Sequence, residues 1–323
     1  MADATGFLPR SVGVLGAGAV GSYFGAVLAR SGIEVRFTAR APHVEAIERD
    51  GLVVLHGADR WRVAVRASTD AAILRNVDVV LITVKTQDTH GAISELAPFA
   101  HPNMRVVSLQ NGVDNAARIA ERLPLPTYAA VVYVGAEMDG PGRVRHLGRG
   151  DLVLGKPRIV PARGEPASDL AAIAGMFEAA HVLCPVSAEI DRALWAKLTL
   201  NCALNAISAI CDVPYGRMGA MPAVRAIMEE AVRETVTVAA ADGVSLDVDE
   251  LLAATWGLVD AMPRQYSSTA QDLQRQKSTE IDALNGYVAA RGEALGVAVP
   301  VNRTLHTLVK LRESSAAGEA KSA

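Results

Sequence analysis

Clustered positive charge is missing from this chain. Its 32 Lys and Arg stand against 35 Asp and Glu, a formal net charge of −3, and no block of five or six basic residues occurs. Nucleic acid and anionic membrane surfaces are therefore not expected as main partners. No run of eighteen apolar residues is found either, so no transmembrane helix is expected. The opening MADATGFLPRSV lacks the basic-then-apolar build of a secretory signal. Cysteine is scarce: Cys184, Cys202 and Cys211 are odd in number and show no CxxC spacing. They read as reduced, mostly buried thiols of a cytoplasmic protein. No His or Cys pair stands beside them at ligand spacing, so no metal is expected.

What is present is ample apolar material. The 323 residues are 50% hydrophobic and 21% charged, enough for two domains with ordinary cores. The first half alternates strand-like and helix-like segments. SVGVLGAG, IEVRFTAR, VDVVLITVK, RVVSLQNG and YAAVVYVGAEM read as strands. AVGSYFGAVLARSG and PHVEAIERDG between them have helical spacing. Continuous apolar strands alternating with helices predict a doubly wound parallel sheet, an α/β Rossmann fold. LVVLHGADRWRVAV reads as two strands turning at GAD, and DGPGRVRHLGRGDLVLG as a hairpin added to the sheet.

From about residue 189 only helical patterns remain, over 189–211, 221–242, 247–261 and 270–296, with a last helix near Val301. The division falls within 181–190, giving domains 1–187 and 188–323. The small polar ends, MADATGFLPR and SSAAGEAKSA, are expected to be disordered. No internal repeat is visible.

Three features carry chemistry. The first is Gly16-Ala17-Gly18-Ala19-Val20-Gly21, directly after a strand and opening a helix. The first glycine suits a tight turn, the second the approach of a pyrophosphate, and the third close helix–strand packing. Glycines serving packing alone, or the glycine-rich first turn of a methyltransferase, are the alternatives. About 20 residues further on, an NAD site usually places a carboxylate. Here stand Thr38, Ala39 and Arg40. A guanidinium clamps a 2′-phosphate that a carboxylate would repel, so NADPH/NADP+ is the expected cofactor. A solvated loop charge is the alternative for Arg40. Lys85 and Asn111 follow two further strands, at the edge where open sheets bind ligands. A solvated lysine and a simple Asn-Gly turn are their alternatives.

The second feature is LWAKLTLNCALNAISAI, an apolar helix carrying Lys197, Asn201 and Asn205 at four-residue steps. Each step turns the helix by about 400°, so the three form one stripe about 12 Å long. A solvent-exposed face could hold them. Yet asparagine is a poor helix former, and its amide needs partners when buried. A polar stripe lining a binding cavity is the sharper reading. The third feature is SSTAQDLQRQKSTEIDALNG, where Ser267, Ser268 and Thr269 suit a helix start. Glu280 is expected on a helix backed by Ile281 and Leu284, with a surface carboxylate as the alternative.

Taken together, GAGAVG, the Arg40 strand end, VKTQD, QNG, LWAKLTLNCALNAISAI, SSTAQDLQRQKSTEIDALNG and GVAVPVNRTLHTLVK resemble the ketopantoate reductase (2-dehydropantoate 2-reductase) family over nearly the full chain. The resemblance implies a Rossmann domain joined to an all-α domain of the 6-phosphogluconate dehydrogenase type. It implies Lys197 as catalytic lysine, with Asn111 and Glu280 beside the reacting centre. Asn201, Asn205 and Ser268 are implied as substrate contacts, and Arg40 and Lys85 as NADPH contacts. The reaction implied is reduction of a 2-oxo acid, with 2-dehydropantoate foremost and another bulky 2-oxo acid as the alternative. A non-catalytic NADP(H)-binding sensor would need no proton donor such as Lys197. Helical second domains of this kind can pack into a homodimer, which spacing does not reveal. His146 is expected as a surface or interface residue and Trp195 as a core anchor.

Overall fold

The computed structural model describes residues 7–322, with side chains described through residue 315. Among the described residues the chain groups into two compact units. The first spans residues 1–110 and 114–190, and the second residues 111–113 and 191–323. The expected division at 187/188 kept residues 111–113 in the first domain. The structure groups that tripeptide with the helices, through contacts no local pattern encodes.

Nine strands form one sheet among the described residues: β1 (Ser11–Leu15), β2 (Glu34–Thr38), β3 (Leu52–His56), β4 (Asp59–Val63), β5 (Arg66–Ser68), β6 (Val79–Ile82), β7 (Arg105–Ser108), β8 (Thr127–Gly140) and β9 (Arg143–Gly155). Their order is β4-β3-β9-β8-β7-β6-β1-β2-β5. The run from β8 to β5 is parallel throughout. From β1 the parallel sheet extends through β2 to β5 on one side and through β6, β7 and β8 on the other, while β3 and β4, between β2 and β5 in the chain, lie at the far edge. This divergence puts a topological switch point between β1 and β6, where the glycine turn lies. β1 and β6 are fully buried, as strands covered on both faces must be.

The hairpin expected within 139–155 is instead a turn and a single strand, β9, which pairs antiparallel with the long β8 before it. The short β3–β4 hairpin pairs through β3 with β9, at the far edge from β2. Helices α1 (Ala19–Arg30), α2 (Ala41–Asp50), α3 (Thr89–Leu96), α4 (Asn115–Arg122) and α5 (Pro166–Ala179) accompany the sheet. α5 was not anticipated. Its Asp169 is 1% exposed and is satisfied by Tyr128 Oη at 2.7 Å and Arg105 Nε at 3.0 Å. Burial, then the bond to Asp169, pushes the Tyr128 hydroxyl well above its ordinary pKa.

The second unit is helical: α6 (Ile190–Cys211), α7 (Tyr215–Gly219), α8 (Pro222–Ala241), α9 (Val248–Ala261), α10 (Ser268–Gln274), α11 (Asn285–Leu295) and α12 (Pro300–Ser322). By length and composition α6 is apolar enough to cross a membrane, but 67% of its most apolar window is buried in the protein. That is the pattern of a core helix. Leu198, Cys202 and Leu204 are at most 1% exposed, and Trp195 is buried edge-on to Tyr287. Burial pushes the Cys184 thiol up to about 12 and raises Cys202 as well, while Cys211 is exposed.

Three expectations are corrected here. The helix expected over 270–296 is broken. α10 ends in a Schellman-type closure, in which Gln276 takes φ +54° and the Lys277 amide donates to the Asp272 carbonyl at 2.8 Å. Glu280 therefore precedes a 3₁₀ turn, Ile281–Ala283, rather than sitting on a helix. The C-terminal tail expected to be disordered continues α12 through Ser322. Its alanines, single glutamate and lysine are good helix formers. At the N-terminus, residues 1–6 lie outside the described residues, and the Arg10 amide already donates to Asp78 at 2.8 Å.

Candidate active site

The glycine turn is built from backbone. Gly16 takes φ +108°, a region that side-chain-bearing residues avoid. A Cβ on Gly21 would lie 2.3 Å from the Gly16 carbonyl oxygen and 2.4 Å from Thr83 Oγ1. At Gly18 nothing lies within 4 Å of where a Cβ would stand. The turn is thus packed where helix meets strand and open where a phosphate would approach. Gly18 caps α1 without a side-chain hydrogen bond. Its first-turn N–H groups have no partner within the helix and favour an anion there. Thr83 Oγ1 donates to the Gly16 carbonyl at 2.6 Å, and the Gly16 amide donates to Thr38 Oγ1 at 3.3 Å. These two threonines pin the turn to the ends of β6 and β2. Ala17, Ala19 and Val20 complete it, Ala17 buried and the others half-buried.

Arg40 is exposed, at the N-cap of α2 just past β2. Lys85 is half-buried and leads a 3₁₀ turn, Thr86–Asp88, after β6. Both therefore stand past carboxyl ends of strands, the edge that carries the glycine turn. These residues fit a dinucleotide: an open phosphate cradle, a helix N-terminus and two cations.

In the helical unit, three residues far apart in sequence meet. Lys197 Nζ donates to Asn111 Oδ1 at 3.0 Å, and Asn111 Nδ2 donates to Glu280 Oε2 at 3.0 Å. Chemistry dictates that amide orientation. An ammonium only donates, so it takes the oxygen, and the amide nitrogen is left to face the carboxylate. All three residues are half-buried. The half-buried position of Lys197 disfavours an ammonium without acceptors, and Asn111 supplies one. Asn201 is half-buried and Asn205 only 4% exposed, continuing the row along α6.

Ser268 is exposed, at the first position of α10. The capping role belongs to its neighbour. Ser267 Oγ accepts from the Ala270 amide at 3.0 Å and donates to the Asn205 carbonyl at 3.0 Å. The end of the polar row is thereby tied to the Ser268 segment. The sequence offered three equivalent candidates for this cap, and only the fold separates them. Thr83 and Gln110, polar residues just past apolar strands, also serve here, and no sequence motif singles them out.

A doubly wound sheet with a glycine turn at its switch point, joined to a helical unit, defines the Rossmann class with an all-α second domain. Residues 12–158 match the family model of ketopantoate reductase PanE/ApbA, and residues 189–313 match that of its C-terminal part. The chain belongs to the ketopantoate reductase family, a family of oxidoreductases. It is 33% identical to the 2-dehydropantoate 2-reductase of Halobacterium salinarum over 93% of this chain and 98% of that protein. It is similar to the crystal structure of a PanE/ApbA family ketopantoate reductase from Ralstonia eutropha JMP134, with TM-score 0.88 and 45% identity over 95% of this chain and 99% of that one. D-mandelate dehydrogenase with NADH and anilino(oxo)acetate also superimposes with TM-score 0.88, at 26% identity and the same coverage.

Proposed function

We propose that this protein reduces a 2-oxo acid to the 2-hydroxy acid with NADPH, and that the acid is 2-dehydropantoate. The observation that carries this reading is the Lys197–Asn111–Glu280 chain of hydrogen bonds. NADPH, when bound, supplies the hydride. The glycine turn and the N-terminus of α1 hold its pyrophosphate, Arg40 its 2′-phosphate, and Lys85 and Asn111 make further contacts. Lys197 Nζ donates to the ketone oxygen, stabilises the negative charge that develops there and releases its proton to it. Removing one such donor typically costs about 10²–10³ in rate. Asn111 Oδ1 aims the ammonium, and Glu280 fixes the Asn111 amide and accepts from a substrate hydroxyl. Ser268 binds the carboxylate, and Asn201 and Asn205 read the remaining polar groups.

Names of the curated relatives support 2-dehydropantoate. The likeness to D-mandelate dehydrogenase supports a second reading, another bulky 2-oxo acid. NADPH oxidation followed at its absorbance with 2-dehydropantoate and a panel of aryl and branched 2-oxo acids separates the two. Turnover confined to a different acid removes 2-dehydropantoate, and no turnover with any acid removes the reductase. The same panel run with NADH tests the cofactor choice.

A further inference from the structure

Gln110 stands two residues past the end of β7 and immediately precedes Asn111, yet its side chain faces back into the first unit and is 7% exposed. Ser108 Oγ donates to Gln110 Oε1 at 3.0 Å. Gln110 Nε2 donates to the Val84 carbonyl at 3.0 Å and to Thr89 Oγ1 at 2.6 Å. One amide thus uses its oxygen on the last residue of β7 and both its hydrogens on the loop after β6. The two acceptors bracket that loop: Val84 stands just before Lys85, and Thr89 opens α3. Thr83, one residue earlier, is bonded to the glycine turn through the Gly16 carbonyl. The glycine turn, the Lys85 loop and the approach to Asn111 are consequently stitched into one hydrogen-bonded strip along three neighbouring strand ends.

We infer that Gln110 is a positioning residue for the proposed reaction, an inference that rests on the reductase reading above. By holding the loop against the end of β7 it fixes Lys85, a cofactor contact. By anchoring its own backbone it holds the point from which the chain enters Asn111. A buried amide with three matched partners suits this task, because any rotation leaves a buried polar group unpaired. A second tie, from Asn115 Nδ2 to Thr86 Oγ1 at 3.2 Å, holds the middle of the same loop. Loss of Gln110 therefore loosens the loop rather than releasing it.

Gln110→Met keeps the side chain's length and removes all three bonds. It should raise the NADPH dissociation constant about tenfold and lower kcat about tenfold. Amide hydrogen exchange should quicken over residues 84–89 and 111–113 and not in α8. Thr89→Val removes one acceptor and Ser108→Ala the anchor of the amide oxygen. Each should give a smaller loss of about threefold, and they serve if Gln110→Met does not fold. A purely structural glutamine would lower the melting temperature and leave NADPH affinity, kcat and the local exchange as in the wild type. That pattern overturns the inference. Failure of the reductase reading looks different: the wild-type protein itself turns over no 2-oxo acid, and exchange over 84–89 together with NADPH affinity still decides the role of Gln110.

Discussion

The glycine turn after β1 and the Lys197 group on α6 are built on opposite principles. The turn works through what its residues lack. Gly16 takes a backbone angle that a side chain would strain, and Gly21 leaves room for the Gly16 carbonyl and Thr83. The Lys197 group works through what its residues carry, an ammonium, an amide and a carboxylate in line. The turn draws its parts from six consecutive residues, whereas the group joins residues 86 and 169 positions apart. A backbone site should fail when atoms are added, and a side-chain site when they are removed.

Lys197→Ala tests the second half of that contrast and has the largest expected effect. kcat should fall about 10²–10³-fold, on the order of 3–4 kcal/mol, while the NADPH dissociation constant stays within about twofold. Full activity in steady-state assays would withdraw the proton-donor role. Arg40→Ala asks whether one side chain adds specificity to the backbone-built turn. It should weaken NADPH by about 1.5–3 kcal/mol and leave NADH binding unchanged in a titration of each. Equal losses would mean that Arg40 does not read the 2′-phosphate.

Gly21→Ala adds a single methyl and removes no chemical group. Overpacking at 2.3 Å from the Gly16 carbonyl should cost about 1–3 kcal/mol of stability and weaken NADPH binding. An unchanged melting curve together with unchanged affinity would erase the contrast between the two sites.

Glu313 offers the mildest test, on the support of the side-chain site. Its carboxylate accepts from the Thr279 amide at 2.7 Å, next to Glu280, and from Lys310 at 2.8 Å. Burial pushes the carboxyl up, but the bonds from Lys310 and Thr279 outweigh it and hold it below the ordinary 4.5. A group whose folded pKa is depressed contributes stability above its unfolded pKa and loses it as pH falls through the folded value. The Thr279 segment should therefore stay closed above about pH 4.5 and loosen on the acid side. Glu313→Gln should cost about 1 kcal/mol at neutral pH and flatten that acid dependence, read from exchange of the Thr279 amide. An acid dependence kept in Glu313→Gln would assign the transition to another group.

These two sites also differed in how far they could be read beforehand. The glycine turn was legible because backbone freedom, strand and helix all lie within a few residues. The row of Lys197, Asn201 and Asn205 was legible as a stripe because helical periodicity is local too. What the row faces was not. The Asn111–Glu280 bond closes 169 residues, and only the family resemblance brought the two names together, without their geometry. Glu280 was expected on a helix because Ile281 and Leu284 mimic helical spacing, and the left-handed Gln276 that breaks the helix leaves no signal in composition. The buried duties of Gln110, and the choice of Ser267 over its neighbours as the cap, were likewise invisible.

Local sequence suffices for the alternating first half, the helical second half, the phosphate-suited turn and the polar stripe on α6. Each follows from backbone dihedrals and side-chain periodicity over a handful of residues. The complete fold is needed to place β3 beside β9, residues 111–113 with the helices, and Asn111 between Lys197 and Glu280. Those pairings depend on which distant segments bury one another, and each is fixed by the packing and hydrogen-bond satisfaction of the whole unit rather than by any stretch of it.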